Sequence, residues 1–214
     1  MSHDFDAFYR GAPLAAGLKH NGIPWDIGRP QPAIVDLDYH GDVLDVGCGL
    51  GDNAALLDSR GLNVTAVDSS PTAIAQARQR FPDSGVRFAV ADAADLGEFT
   101  ASFDTVLSCS LFHCLDETDR IRHLKALHRA TRRDAVLHLI TFSDRLVDGL
   151  PSPFPLSEQD IRNPLSDNGW IITEFGETTL VAAGATMVAL FDAVGVTSRD
   201  RAELACWYAR ATRE

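Results

Sequence analysis

A short apolar strand that runs into three closely spaced glycines most constrains what this 214-residue chain can fold into. The stretch reads VLDVGCGLGD (residues 43–52), and a helical pattern follows it. Glycine is needed where the backbone turns sharply or approaches a ligand without a Cβ in the way. Ligands of parallel sheets bind beside such turns, at the carboxyl ends of the strands. The stretch therefore predicts either a tight strand-to-helix turn or a binding loop.

Strand and helix patterns alternate along the rest of the chain. The predicted strands are 42–46, 62–67, 86–90, 103–108, 135–142, 170–175 and 205–211. The predicted helices are 52–60, 71–81 after an N-cap at Ser70, 117–132, and 157–169, in which Pro164 favours a kink or an early end. This alternation predicts an α/β fold with helices on both faces of a parallel sheet. The stretch 181–196 fits either a helix on the sheet or a dimer contact.

Acidic residues dominate the charge of the chain. Thirty Asp and Glu face nineteen Lys and Arg, which gives a net charge of −11. This balance argues against nucleic acid and against an anionic membrane surface as partners, because both are bound by clustered basic residues. The charge does not exclude a small anionic or neutral substrate, and we expect a monomer or a homodimer.

Neither the start of the chain nor its cysteines indicate export. The first residues, MSHDFD, lack the basic and then apolar pattern of a signal peptide. The cysteines lack CxxC spacing, so we expect reduced thiols, no metal site and a cytoplasmic location. They are Cys48, Cys109, Cys114 and Cys206.

The first forty residues differ from the rest. Many glycines and prolines forbid a long regular element there, whereas Phe5, Phe8, Tyr9, Trp25 and Tyr39 favour burial. Residues 1–40 are therefore predicted to form a lid over the domain at 41–214, or else an extension packed on a sheet edge.

An acid at the end of the second strand narrows the choice of ligand. Asp68 lies 17 residues after Gly51, where a carboxylate can accept hydrogen bonds from a ribose diol or cap the helix that follows. A nicotinamide dinucleotide site prefers Gly or Ala at the position that Asp52 holds here. Asp45 adds a carboxylate that would repel a pyrophosphate and attract a cation.

Four motifs together resemble the class I S-adenosylmethionine-dependent methyltransferases, nearest to thiopurine methyltransferase-like and other bacterial small-molecule methyltransferases. They are DVLDVGCGLGDNA (42–54), AVDSS (66–70), VADAADL (90–96) and FDTVLSCSLFHCL (103–115). The resemblance implies a Rossmann-like, doubly wound, seven-stranded and mostly parallel sheet whose last strand is antiparallel. It implies S-adenosyl-L-methionine as cofactor, with S-adenosyl-L-homocysteine as product.

The resemblance also implies which residues bind this cofactor. They are Gly47, Cys48, Gly49 and Gly51 under the adenosyl and methionine portions, Asp45 and Ser108 at the methionyl ammonium, Asp68 and Ser69 at the ribose, Asp92 and Ala93 at the adenine, and Trp25 as an aromatic cover.

The methyl acceptor is expected at the same sheet edge. His113, just past the fourth strand, is either a general base or a histidine that only lines the pocket. His138 is expected to be structural, and His123 and His128 are expected to face solvent. The other residues expected near the acceptor are Phe8, Tyr9, Arg10, Phe112, Phe142 and Phe154.

The leading hypothesis is methyl transfer to an O, N or S atom of a small aromatic or heterocyclic molecule. The alternatives are a methyltransferase for RNA or protein, a non-catalytic cofactor-binding protein on the same fold, and a nicotinamide oxidoreductase. The negative charge speaks against RNA, and intact motifs speak against a non-catalytic protein.

Overall fold

The computed structural model describes residues 4–12, 22–195, 197 and 200–214. Positions 1–3 and 13–21 of the N-terminal segment, and position 196 of the 181–196 stretch, lie outside the described residues. The elements in chain order are α1 (Phe5–Tyr9), α2 (Pro32–Val35), β1 (Asp42–Val46), α3 (Asp52–Ser59), β2 (Asn63–Asp68), α4 (Pro71–Arg80), β3 (Arg87–Val90), β4 (Phe103–Cys109), a 3₁₀ turn (Phe112–Cys114), α5 (Glu117–Ala130), β5 (Thr131–Phe142), β6 (Leu146–Val147), β7 (Leu150–Pro151), α6 (Gln159–Asp167), β8 (Trp170–Ala183), a 3₁₀ turn (Gly184–Thr186), α7 (Val188–Val194) and β9 (Arg201–Arg213).

One sheet contains seven of these strands, in the order β3-β2-β1-β4-β5-β9-β8. The first five pair in parallel, and β9 runs antiparallel to both β5 and β8. The expected α/β sheet, seven-stranded and mostly parallel with an antiparallel last strand, is confirmed. The strand order reverses between β1 and β4, which is where ligands bind in open sheets of this kind.

Helices cover both faces of the sheet. Neighbouring residues of a strand point to opposite faces, so each strand contributes side chains to both layers. Val43 shares a buried cluster with Leu57 of α3, whereas its neighbour Leu44 shares another with Leu124 of α5. All four side chains are fully buried. Burying one such side chain stabilises a fold by about 1.5–3 kcal/mol, so the two clusters hold the helices on the sheet.

Several element boundaries differ from the sequence-based expectation. The fifth helix ends at Ala130 rather than Arg132, because β5 begins directly at Thr131. The last two strands are longer than expected and form one antiparallel hairpin from Trp170 to Arg213. The start of the 181–196 stretch therefore belongs to β8, and α7 follows it.

The start of α4 follows the expected capping chemistry, and a serine–aspartate hydrogen bond lies at the start of α6. The hydroxyl of Ser70 accepts the N–H of Ala73 at 3.0 Å, which confirms it as the N-cap of α4. The hydroxyl of Ser157 donates to Asp160 at 2.7 Å just before α6, and this helix continues through Pro164. No helix in the described ranges is both long and apolar enough to cross a bilayer.

The segment ahead of β1 is fastened to the far end of β8. The side-chain amide of Gln31 donates to the carbonyl of Val181 and accepts its N–H, each at 2.9 Å. Ala183 also donates its N–H to the carbonyl of Pro24 at 2.7 Å. These bonds extend the ladder of an edge strand, so they fix the path of residues 24–31 across the sheet end.

Candidate cofactor and acceptor site

The register of the sheet brings the sequence motifs to one edge. Val46 of β1 pairs with Val67 of β2, and Asp68 pairs with Val90 of β3. Ser108 of β4 pairs with Leu139 of β5. Because parallel strands end at the same edge, the following features lie there together: the glycine turn, Asp68, the loop at Asp92, the end of β4 and the end of β5.

The glycine turn has a backbone that only glycine adopts without strain. Gly49 has φ +53° and Gly51 has φ +85°. A Cβ on Gly49 would lie 2.9 Å from the hydroxyl of Tyr9, and a Cβ on Gly51 would lie 2.8 Å from the ring of Phe88. The turn is therefore closed against the N-terminal segment on one side and against β3 on the other.

Asp68 is tied to the turn by its carboxylate. Oδ2 accepts the N–H of Gly49 at 3.0 Å, and Oδ1 accepts the N–H of Ser70 at 2.9 Å. Burial raises the pKa of Asp68, while these hydrogen bonds act in the opposite direction. Each carboxylate oxygen has lone-pair capacity beyond one bond, so Asp68 can still accept from a diol. Ser69 beside it is exposed.

Asp45 is the most unusual carboxylate of the site. Its side chain is buried, and Oδ2 has no hydrogen-bond partner among the described residues. Burial, followed by the charge of Asp68, raises the pKa of Asp45 to about 7, and the backbone N–H of Ala54 offsets this in part. A buried carboxylate without a partner is unfavourable, and a cation in contact with it would favour the charged form.

The loop after β3 is held by a histidine that the sequence interpretation placed wrongly. His123 is fully buried instead of facing solvent. Its Nδ1 bonds the carbonyl of Ala93 at 2.8 Å, and its Nε2 lies 3.4 Å from Oγ of Ser108. Burial lowers the pKa of His123 to about 4, so the ring is neutral. Asp92 is exposed and caps the same loop by accepting the N–H of Ala94 at 2.8 Å.

Aromatic side chains of the N-terminal segment lie over the glycine turn. The indole N–H of Trp25 donates to the hydroxyl of Tyr9 at 2.9 Å, and the ring of Phe8 lies 5.3 Å from that of Trp25. Tyr9 is buried, and burial followed by the charge of Asp68 raises its pKa. The structure therefore brings Phe8, Tyr9 and Trp25 to the same sheet edge as the glycine turn.

Helix α1 is attached to α4 through one carboxylate. Asp6 accepts the hydroxyl of Ser70 at 2.7 Å and the N–H of Thr72 at 3.0 Å. These hydrogen bonds lower the pKa of Asp6 to about 2. Arg10 forms an exposed ion pair with Asp6 at 2.7 Å, so the structure does not bring it into the aromatic cluster.

His113 lies at the same edge, in the 3₁₀ turn after β4. Its ring stacks on Phe142 with centroids 3.9 Å apart and an interplanar angle of 22°. Nδ1 accepts the backbone N–H of Phe142 at 3.2 Å and lies 3.2 Å from Oγ1 of Thr141, a buried residue that the sequence did not single out. Burial, followed by the charge of Arg120, lowers the pKa of His113 to about 3. The ring is therefore a neutral imidazole.

Of the other side chains expected near the acceptor, one is in the core and one is largely exposed. Phe112 is fully buried in the cluster of Leu124, and the guanidinium carbon of Arg120 lies 5.7 Å from its ring centroid. Phe154 is 51% exposed on the loop between β7 and α6. The structure thus uses Phe112 to pack α5 against the sheet rather than to line the edge.

The thiols of the site are protonated. All four cysteines are free, and burial raises the pKa of Cys114 and of Cys206 to about 12. Within the described ranges, no group of three or more His, Cys, Asp or Glu side chains is placed to hold a metal ion.

Comparison with known proteins identifies the family. Residues 43–134 match the family described as "Methyltransferase domain". A 2-heptyl-1-hydroxyquinolin-4(1H)-one methyltransferase of Mycobacteroides abscessus is 32% identical over 192 residues, which cover 84% of this chain and 82% of the relative. The chain is a class I S-adenosylmethionine-dependent methyltransferase. The nicotinamide and non-catalytic alternatives are thereby set aside.

Solved structures agree with this identification. A structure from work on the conversion of a disulfide bond into a thioacetal group during echinomycin biosynthesis is 35% identical, with a TM-score of 0.81, and the match covers all of this methyltransferase and 93% of that chain. The fold is shared with magnesium protoporphyrin IX methyltransferase of Synechocystis with bound S-adenosylmethionine, at 22% identity, a TM-score of 0.57, and coverage of 80% of this chain and 69% of that one. The methyltransferase uses S-adenosylmethionine as its cofactor.

Proposed function

We propose that this methyltransferase transfers a methyl group to a hydroxyl oxygen of a small, flat heteroaromatic molecule. The observation that carries the proposal is the stack of His113 on Phe142 at the same edge as the Tyr9 and Trp25 cluster, since aromatic surfaces suit a flat apolar ring. The hydroxyquinolone methyltransferase, which this chain matches over four fifths of both lengths, supports the choice of oxygen.

The buried carboxylate of Asp45, whose Oδ2 has no hydrogen-bond partner among the described residues, fits the ammonium group of the cofactor. When bound, S-adenosylmethionine would supply a methyl group on a sulfonium ion, so that an acceptor lone pair could bond to the methyl carbon as the thioether leaves. We assign the other contacts by position: the Gly47–Gly51 turn with Cys48 under the cofactor, Asp68 and Ser69 to the ribose, Asp92 and Ala93 to the adenine, the Ser108 carbonyl to the ammonium, and Trp25 as the cover.

Residues 1–40 act in this proposal as a lid on the domain at 41–214. The anchors of Asp6 on α4 and of Gln31 on β8 support a lid with defined ends. Phe8 and Tyr9 supply its inner surface, and a closed site excludes water from the transfer. The free thiols support a cytoplasmic location.

The acceptor contacts of the proposal are fewer than the sequence suggested. His113 and Phe142 border the acceptor from the sheet, and Tyr9 borders it from the lid. The proposal leaves out Arg10 and Phe154 because they are exposed, and Phe112 because it is in the core.

A labelled-methyl assay tests the proposal. The purified protein is incubated with radiolabelled S-adenosylmethionine and with 1-hydroxyquinolin-4(1H)-one or quinolin-4(1H)-one, which differ only in the hydroxyl. We expect mass spectrometry to find one added methyl group on the first compound alone. Transfer to bulk RNA or to peptides, with none to either quinolone, would overturn the proposal. Asp68→Asn is the control, and it should abolish transfer through lost cofactor binding.

A further inference from the structure

We propose that the acceptor oxygen is already an anion when it is bound, and that His113 donates a hydrogen bond to it from Nε2 instead of removing its proton. This inference rests on the proposed function, and it narrows the substrate class to acidic hydroxyls. N-hydroxy heteroaromatics and phenols with electron-withdrawing groups belong to that class, and simple alcohols do not.

The backbone fixes which nitrogen of His113 carries the proton. Nδ1 accepts the N–H of Phe142, so its lone pair is occupied by a donor that cannot lose its hydrogen. A neutral imidazole has one proton, which must then sit on Nε2. The Phe142 amide is held in place because β5 pairs with β9 at Cys206. Strand pairing thus sets the tautomer.

The other nitrogen is free to act on a ligand. The described residues give Nε2 of His113 no hydrogen-bond partner, and this atom is not among the buried side-chain atoms without one. It therefore keeps access to open space in a side chain that is 6% exposed. In this neutral ring, Nε2 carries the proton and can donate a hydrogen bond to the acceptor oxygen. The lone pair of Nδ1 is already used by the N–H of Phe142, so the ring has no lone pair left to take a proton from the acceptor.

The positive charge that acts on His113 comes from Arg120. Arg120 of α5 donates Nε–H to the carbonyl of Phe112 at 3.2 Å, and its positive charge acts on the imidazole. The ionisable groups that act on Arg120 in turn are Asp160 of α6, Glu117 and Asp116 at the start of α5, and the protonated thiol of Cys114. β5 contributes only the uncharged Thr141 and Phe142 beside the ring.

Among the residues that the structure describes, the other titratable side chains near His113 do not take the proton. Burial keeps Cys114 and Tyr9 protonated at neutral pH. The carboxylates of Asp45 and Asp68 are assigned to the cofactor. The hydroxyl proton therefore leaves to bulk water before the acceptor binds.

The transfer step balances without a base. A lone pair of the anionic oxygen forms a bond to the methyl carbon while the carbon–sulfur bond breaks, and that electron pair stays on sulfur. The negative charge of the oxygen and the positive charge of the sulfonium cancel. No proton moves, so the protein contributes position, a hydrogen bond and exclusion of water.

Acceptors of graded acidity test this inference. We would measure kcat/KM against pH for 1-hydroxyquinolin-4(1H)-one and for its 6-nitro and 6-methoxy derivatives. We expect kcat/KM for each compound to rise with pH, with a midpoint at that compound's own pKa, and to level off above it. A single midpoint shared by all three compounds would show a base in the enzyme and would overturn it. Absence of transfer to every compound would instead overturn the proposed function.

Two variants separate a donor from a base. His113→Gln keeps an N–H donor, whereas His113→Phe keeps only the ring shape. We expect kcat/KM to fall less than about 10-fold for the first and about 100-fold for the second, within the range of one lost charge-assisted hydrogen bond. Equal losses in both variants, with cofactor affinity unchanged, would contradict a donor role.

Nitrogen NMR reads the tautomer without any turnover. The chain has seven histidines. The ring signals that disappear from the spectrum of His113→Gln are assigned to His113. We expect a proton on Nε2 and no titration between about pH 5 and pH 9, where a free imidazole titrates. A proton on Nδ1, or titration near neutral pH, would refute the inference even if transfer occurs.

Discussion

The hydroxyl of Tyr9 accepts the indole N–H of Trp25 at 2.9 Å and lies directly over Gly49, where it would meet a Cβ at 2.9 Å. A residue near the start of the chain is thus in contact with the turn that follows β1. Tyr9 is buried and Trp25 is half-buried. Removing the hydroxyl of Tyr9 therefore leaves the indole N–H of Trp25 without its hydrogen-bond partner.

Tyr9→Phe should weaken the binding of S-adenosylhomocysteine by about 5- to 10-fold. The change leaves the N–H of Trp25 unpaired, which costs about 1–2 kcal/mol in the closed state. Calorimetry measures the affinity. Tyr39→Phe is the matched control, because the hydroxyl of Tyr39 bonds the carbonyl of Ile34 instead. Equal weakening in both variants would refute a specific role of the lid.

The affinity for S-adenosylhomocysteine should rise as the pH increases from about 6 to about 7.5. The pKa of Asp45 is raised to about 7, so much of this carboxyl is protonated in the free protein at pH 6. A bound ammonium favours the carboxylate, so binding releases a proton and strengthens as the pH rises through that pKa.

Titrations in buffers of different ionisation enthalpy detect that proton. Asp45→Asn should bind more weakly and release none. Asp42→Asn is the control on the same strand, because Asp42 pairs with Arg132 at 2.9 Å near the surface. Proton release that persists in Asp45→Asn would show that another group is responsible.

His123→Gln should change how stability depends on pH. The folded pKa of His123 is about 4, below the ordinary value of 6.5, so the unfolded chain binds a proton at higher pH than the folded one. The wild-type protein therefore loses stability from this group as the pH falls from about 6.5 to about 4, and glutamine does not titrate.

Urea unfolding across that range gives the free energies to compare. We expect the wild-type advantage over His123→Gln to shrink at acid pH. The same substitution at His40, which is exposed, is the control for replacing a histidine at the surface. His123→Leu should also lose about 1–3 kcal/mol at neutral pH, since the carbonyl of Ala93 is left unpaired. A constant gap between wild type and His123→Gln would contradict the account.

Local patterns were enough to predict the turn after β1 and the start of α4. The glycine turn, Asp68 and the capping Ser70 depend on neighbouring residues in sequence, and the structure has each of them where the pattern placed it. The sheet followed because short strands alternated with helices. These features are determined by backbone sterics and by a period of two residues.

Features that depend on distant partners could not be predicted. His123 follows the apolar stripe of α5 and precedes Leu127 by one turn, but its burial depends on the carbonyl of Ala93 in another loop. β8 continues through Gly176 because β9 supplies a partner for its whole length. Likewise, the tautomer of His113 depends on the amide of Phe142.

The central claim is that the methyl group goes to an acidic hydroxyl oxygen of a flat heteroaromatic acceptor. Its most direct test is a reaction with carbon-13 methyl-labelled S-adenosylmethionine and 1-hydroxyquinolin-4(1H)-one, followed by carbon NMR of the product. We predict a single labelled methyl resonance in the range of a methoxy group on nitrogen. A labelled methyl on a ring carbon, or no labelled product from protein that binds S-adenosylhomocysteine, would contradict the claim.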